Sequence, residues 1–377
     1  MKTYCKDADI TDRDLVSIAV RDCLRGKLNR VDTVSMLARH TSHSREEVKE
    51  AIKSGGMDAV SHLIERVIDD CVYRLKARKL DLRPLRYSVK TDPSSQKVRE
   101  IGVQDIRQQL FDYVAVYSLL PILKRIGEFQ CAAISGRGQR YGIKAMRKWV
   151  ANRNNRYCLK ADIRKCYPTT DREKLMAWLR RYVKNEPLLW LVRELIYTSK
   201  QGLMIGSYLS QHLANLYLSQ LYHFLAEEQF KVRRDKRINM VHHVLFYMDD
   251  FVILGSSASD LHKVFRALRA RAAELGYEIK PDWRVFEITE KTFVDVMGAR
   301  IHRDHITLRR RVFLRAKRCF VKVKKIIETH KRLSLPLARK VISYWGSFLH
   351  TDAFRIIARL KIRRSVSVSK RVVSYAH

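Results

Sequence analysis

Residues 244–255, Val-Leu-Phe-Tyr-Met-Asp-Asp-Phe-Val-Ile-Leu-Gly, place two adjacent carboxylates inside an otherwise apolar run. Five residues on either side have the length and composition of β-strands, so the run reads as a strand-turn-strand unit with Asp249 and Asp250 at its bend. Turn chemistry alone can account for aspartates at a bend. Two of them fixed side by side on a hydrophobic hairpin nevertheless repel each other and lose hydration, which is costly unless they are protonated or neutralised by a cation. A divalent metal is the natural partner, and a third carboxylate elsewhere would complete its site.

Charge narrows the search. The 377 residues carry 75 Lys and Arg against 39 Asp and Glu, a net charge of +36, which points to a polyanionic partner such as nucleic acid. With 46% hydrophobic residues the chain is able to bury a sizeable core, in two or three lobes. The seven cysteines are scattered through apolar segments without a C-x-x-C spacing, as core fillers in a reducing compartment. The N-terminal Met-Lys-Thr-Tyr-Cys-Lys-Asp lacks the apolar stretch of a secretion signal, so a cytoplasmic setting is expected. An uncharged run over 201–226 is long enough to span a bilayer but carries Gln, Ser, Asn and His throughout, so a buried helix is expected and no membrane anchor.

Along the chain, residues 1–80 show helical spacing, with a capping-box signature at Ser-Arg-Glu-Glu, 44–47. Two strand-like runs flank the turn Thr-Asp-Pro-Ser-Ser and predict a basic β-hairpin within 85–103. A glycine- and arginine-rich loop over 134–144 leads into a helix. Tyr-Cys-Leu-Lys-Ala, 157–161, reads as a short strand that ends on Asp162, with a helix from about Asp171. From Arg300 onward the excess of basic over acidic residues is 22 against 3, which makes the C-terminal part the region best suited to phosphates.

Asp162 is the third carboxylate. It leaves its strand as Asp249 leaves Val-Leu-Phe-Tyr-Met, and if the two strands are neighbours in one sheet the acids converge on a metal pair. Two Mg²⁺ ions held this way, or Mn²⁺ in their place, lower the pKa of an attacking 3′-hydroxyl and stabilise a leaving pyrophosphate, the chemistry of nucleotidyl transfer.

Five blocks then fall in the order found in one family: Lys-Val-Arg-Glu-Ile-Gly-Val-Gln-Asp-Ile-Arg (97–107), Ala-Asp-Ile-Arg-Lys-Cys-Tyr-Pro (161–168), Ile-Gly-Ser-Tyr-Leu-Ser-Gln (205–211), Phe-Tyr-Met-Asp-Asp (246–250) and Val-Met-Gly-Ala-Arg-Ile-His (296–302). Over about residues 85–320 the sequence resembles bacterial retroelement reverse transcriptases. The resemblance implies an α+β right-hand polymerase that makes DNA from an RNA template and dNTPs. Its parts would be a helical N-terminal extension (1–80), fingers and a palm with an antiparallel sheet (81–300), and a basic helical thumb (301–377).

Carried over by position, the resemblance implies Asp162, Ile163, Asp249 and Asp250 at the two metals, with Asp162, Asp249 and Asp250 catalytic. Arg99 and Lys90 on the hairpin would grip the incoming triphosphate, with Gly206, Ser210 and Gln211 around the nucleotide. Tyr167 would be the ring that leaves no room for a 2′-hydroxyl. Lys280 would protonate the pyrophosphate, Met297 and Gly298 would form the primer grip, and Arg309, Arg310, Arg311, Arg315, Lys317 and Arg318 would hold nucleic acid on a helix whose apolar face packs on the palm. In the third block most members carry Gln-Gly and, three residues on, Ser-Pro; here Ile205-Gly206 precedes Ser210-Gln211. That version resembles diversity-generating retroelements and unclassified reverse transcriptases, several of them antiphage defence enzymes, and it removes a polar group facing the sugar. No ribonuclease H, maturase or HNH signature follows Arg300. The long helical N-terminus favours the defence-associated branch, with a structured non-coding RNA as template and a protein partner or second copy as further options. A diversity-generating enzyme is the alternative. A catalytically dead nucleic-acid scaffold would show a broken acid set, and Tyr167 with Met248 favours DNA over RNA synthesis.

Overall fold

Helix-forming periodicity governs the N-terminal quarter of the chain, and the computed structural model, which describes residues 2–39, 43–91 and 98–375, shows four helices there: α1 (Arg13–Leu24), α2 (Val31–Arg39), α3 (Arg45–Ala59) and α4 (Ser61–Lys76). Ser44 and Glu47 complete the capping box on α3, each side chain taking the other's backbone N–H. Then come β1 (Arg86–Thr91), β2 (Val98–Val103), α5 (Ile106–Leu123), β3 (Gln130–Cys131), α6 (Gln139–Ala151), β4 (Tyr157–Asp162), α7 (Cys166–Thr169), α8 (Arg172–Tyr182), α9 (Glu186–Tyr197) and α10 (Tyr208–Glu227). The third stretch holds β5 (Phe230–Arg233), β6 (Lys236–Asn239), β7 (His243–Tyr247), β8 (Asp250–Gly255), α11 (Ala258–Glu274), β9 (Arg284–Glu287), β10 (Val294–Val296), β11 (Ala299–Ile301) and β12 (Ile306–Leu308). Four helices follow: α12 (Arg310–Glu328), α13 (Leu335–Phe348), α14 (Phe354–Arg359) and α15 (Ile362–Ser374).

These elements fall into two compact units. Unit 1 comprises residues 1–128, 163–221 and 270–278; unit 2 comprises 129–162, 222–269 and 279–377. In unit 1, α1 packs on α4 and α5, and the β1–β2 hairpin pairs antiparallel from Arg86↔Val103 to Thr91↔Val98. Beyond Thr91, the turn Thr-Asp-Pro-Ser-Ser lies outside the described residues. The uncharged run over 201–226 is helical only from Tyr208. Gly202 and Gly206, at φ +49° and +110°, hold the preceding residues in turns that a helix cannot continue. No helix among the described residues is long and apolar enough to cross a membrane.

Unit 2 is built on a five-stranded sheet of order β3-β7-β8-β4-β9, antiparallel except for the β3–β7 pair. Leu245, Cys158, Val252 and Leu254 on one face of this sheet pack with Ile143, Met146, Trp149 and Val150 of α6 and with the small β10-β11-β12 sheet. The basic helix α12 buries Ala316, Phe320 and Val323. Its apolar face packs on α13 and α15 rather than on the sheet, because those two amphipathic helices present apolar stripes of their own. Six of the seven cysteines are buried and Cys319 is half-buried; all are free, and burial raises the Cys23 and Cys71 thiols to about 12, so they stay protonated.

Candidate active site

The register of the sheet decides which acids meet. β8 lies between β7 and β4, so the strand that leads into Asp249 and the strand that ends on Asp162 are not neighbours; the residue directly opposite Asp162 is Asp250. Opposed residues of an antiparallel pair share a face and hold their Cβ atoms about 5 Å apart. The same face continues inward as Lys160↔Val252 and Cys158↔Leu254. One strand face therefore begins in the α6-covered core and ends at the sheet edge in two carboxylates and an ammonium. Asp249 sits in the two-residue loop that joins Tyr247 to Asp250. Met248, the first loop residue, has φ +57°, the sign that type II′ hairpin turns demand at that position. A methionine in that region is strained, and the tight loop fixes Asp249 beside Asp250.

Two lysines answer the negative charge. Lys280 pairs with the Asp162 carboxylate through Nζ, while its backbone N–H donates to the Asp162 carbonyl at 2.9 Å. Lys160 Nζ lies 3.6 Å from Asp250 Oδ1 and donates to the Asp295 carbonyl at 2.5 Å. Burial, reinforced by the charges of Asp162 and Asp249 and opposed by Lys160, pushes the Asp250 carboxyl up to about 6. Among the described residues no three His, Cys, Asp or Glu side chains are gathered closely enough to enclose an ion as they stand. The donors are nevertheless of the right chemistry: hard carboxylate oxygens crowded until they need cationic compensation, with the Ile163 carbonyl next in the chain. The Ile163 side chain is fully buried, so only its backbone oxygen is a potential ligand.

Met297 and Gly298 form the two-residue loop between β10 and β11, both with positive φ, +51° and +79°. Gln139 of α6 donates to the Met297 carbonyl, and the Met297 sulfur packs where a Cβ on Gly142 would come within 2.6 Å. Arg309 donates its backbone N–H to the Gly298 carbonyl at 3.2 Å and its side chain pairs with Asp295, so this guanidinium is already engaged. Arg310 and Arg318 on α12 are exposed, and Lys317 and Arg315 are half-exposed.

Unit 1 carries the remaining sequence-predicted residues. Lys90 and Arg99 are direct cross-strand partners on the hairpin, both exposed and on one face. Like charges placed opposite each other repel unless an anion sits between them. Tyr167, half-buried on α7, accepts from the Leu203 N–H through its carbonyl at 2.8 Å, and a Cβ on Gly202 would overlap the Tyr167 and Pro168 carbonyls. The Ile205 carbonyl accepts from the Gly102 N–H at 3.0 Å, tying the third block to the hairpin base. Gly206 is exposed and Gln211 half-exposed, whereas Ser210 is buried and accepts from the Met204 N–H at 3.3 Å, which makes it a turn-forming residue here. Three participants were not singled out from the sequence: Lys160, Asp295, which pairs with Arg309, and the buried Asp112, which organises residues 207–209. Lys160 alone carried a signal, its place two residues before Asp162 and hence on the same strand face.

A family model described as reverse transcriptase (RNA-dependent DNA polymerase) matches residues 89–301. A search of curated proteins gave no match.

Proposed function

Because the chain belongs to the reverse transcriptase family and is thus an RNA-directed DNA polymerase, a nucleotidyltransferase, we propose that its chemistry is centred on Asp162, Asp249 and Asp250. The observation that supports this reading most directly is the Asp162↔Asp250 register at the edge of the unit 2 sheet, with Asp249 in the adjoining tight loop. Asp162, Asp249 and Asp250, with the Ile163 carbonyl, would hold two Mg²⁺ ions, or Mn²⁺ in their place. Those ions, when bound, activate a primer 3′-hydroxyl and stabilise the departing pyrophosphate. Lys280, released from Asp162, is the proton donor to that pyrophosphate through Nζ. On the hairpin, Arg99 takes the triphosphate bidentately and Lys90 adds a point charge, which relieves their mutual repulsion. Tyr167 excludes the 2′-hydroxyl, and Gly206 and Gln211 lie around the nucleotide. Met297 and Gly298 position the primer, and the α12 residues Arg310, Arg311, Arg315, Lys317 and Arg318 carry the nucleic acid.

In the family's right-hand terms the segments 81–300 and 301–377 correspond to fingers with palm and to thumb, and 1–80 to an added helical region. The template is a dedicated structured non-coding RNA and the setting is bacterial antiphage defence, in the cytoplasm. The net charge of +36, the helical segment without a catalytic motif and the Ile205/Ser210-Gln211 block support this. A diversity-generating role is the second reading, favoured by that same block. One experiment addresses both levels. Asp249→Asn should abolish metal-dependent dNTP incorporation while RNA affinity stays within about twofold, since the basic region is untouched. Nucleic acid recovered with the native chain should be enriched in one RNA and its cDNA, and the variant should retain the RNA alone. Undiminished synthesis by the variant would remove the proposed site, and recovery of unselected RNA would remove the dedicated template.

A further inference from the structure

A cavity of about 610 Å³ in unit 1 is lined by none of the residues assigned above. Its walls come from the α1–α2 turn and α2 on one side, and from the approach to β1, the end of β2 and the start of α5 on the other. Five arginines, 30, 39, 83, 86 and 107, line it together with two aspartates, 32 and 105. Asp32 is already spent: it takes Arg30 at 2.9 and 2.6 Å and also accepts the Ile106 N–H at 3.1 Å. Asp105 caps α5 through the Arg107 N–H at 3.0 Å and reaches Arg83 only at 3.5 Å. Arg39, Arg86 and Arg107 have no carboxylate partner among the described residues.

Other arginines of unit 1 are paired with carboxylates, as Arg30 is to Asp32 and Arg74 to Asp70 and Asp81. Arg39, Arg86 and Arg107 in the cavity depart from that pattern. Arg107 is half-buried, and burial first, then the charge of Arg39, with smaller contributions from Arg74 and Arg83, pull its guanidinium below the usual arginine range against the opposing charge of Asp105. A repelling cationic cluster held in a concavity gains free energy from any anion that enters. One carboxylate would leave two guanidiniums unanswered, whereas adjacent phosphates present the paired oxygens and multiple charges that three planar forks match. The volume suits a ligand of nucleotide size.

We propose that this cleft is a second, non-catalytic site for adjacent phosphate groups, presented by a nucleic-acid strand or by a free nucleotide polyphosphate. The proposal stands apart from the polymerase chemistry, and its test is run in EDTA so that metal-dependent binding does not contribute. Full-length protein is compared with Arg39→Gln/Arg107→Gln and with Lys53→Gln/Lys79→Gln, a control that removes the same charge from exposed sites. Thermal shift with inorganic tripolyphosphate and anisotropy with a 12-nucleotide RNA are the two readouts. Loss of most of the tripolyphosphate shift in the arginine variant but not the control, with RNA affinity matching the control, identifies a free polyphosphate. RNA affinity about tenfold below that of the control identifies a strand. The unliganded arginine variant should melt no lower than the native chain, because repulsion is relieved. Arg39→Gln/Arg86→Gln, with both side chains exposed, repeats the comparison should Arg107→Gln impair folding. If both arginine variants behave as the lysine control in both assays, the proposal is overturned.

Discussion

Asp112 on α5 is fully buried, and its Oδ2 accepts from Ser207 Oγ at 2.7 Å, Gln104 Nε2 at 3.0 Å and the Leu209 N–H at 3.3 Å. It thereby ties the start of α10 and the Ile205-Gly206-Ser207 turn to α5. Burial pushes its carboxyl up to about 6 despite those donors. A folded-state pKa raised above the unfolded value means that the native chain binds the extra proton between roughly pH 4 and 6. The group's contribution is thus fully present below pH 4 and is lost as pH rises through 6. At neutral pH the cost approaches about 3 kcal/mol, taking 1.36 kcal/mol per pKa unit. Asp112→Asn removes this titration, so its stability relative to the native chain should rise between pH 4 and 6 and stay level above. Calorimetric melting at four pH values across that range reads the difference, and a constant offset would mean that Asp112 titrates normally. Nothing in the sequence around Phe-Asp-Tyr, 111–113, marked this residue, because its partners lie 8 and about 95 positions away.

At the level of elements, two glycines with opposite surroundings make a paired prediction. Gly102 on β2 lies so close to Met204 that an added Cβ would overlap the Met204 thioether, and its N–H is bound to Ile205. Gly102→Ala must push the third block away from the hairpin base, an overpacking that costs about 1–3 kcal/mol. It should lower the melting temperature by a few degrees and raise the KM for dNTP. Gly346 sits inside α13 on an ordinary helical backbone, and nothing lies within 4 Å of the place an added Cβ would take, so Gly346→Ala should stabilise by about 1 kcal/mol. The reverse order of the two melting shifts would contradict this packing. The elements themselves were legible where local rules act: the capping box on α3, the 86–103 hairpin, the strands around Asp249-Asp250 and the helix after Asp171 all follow from periodicity and turn chemistry. The strand order was not. That β8 rather than β7 lies beside β4 is a long-range choice, and it moves the cross-strand partner of Asp162 from Asp249 to Asp250. The α12 apolar stripe was legible too, but not the surface it covers, since an amphipathic pattern specifies that a face is buried without specifying against what.

At the scale of the whole molecule, a charge of +36 means that nearly any nucleic acid binds, so affinity alone says little about which basic residues carry the strand. The slope of log K against log salt is more informative, because it counts phosphates neutralised. On α12, Arg310, Lys317 and Arg318 recur at i, i+7 and i+8, on a different side from buried Ala316, Phe320 and Val323. Arg309, one residue before the helix, is held by Asp295 instead. If α12 carries the strand, Arg310→Gln/Lys317→Gln/Arg318→Gln should make the salt slope shallower by about 2, at roughly 0.7 per contact on a single strand. The loss should be equal for every RNA sequence, since phosphate contacts carry no base information. Arg309→Gln should leave the slope unchanged and lower the melting temperature, because Asp295 loses its partner. A dedicated template would show itself as an advantage over a scrambled RNA that survives both substitutions at about 150 mM salt, having its origin outside α12. Should the triple variant keep the native slope, the strand is carried elsewhere, and the α12 stripe is a solvated face of the C-terminal helices.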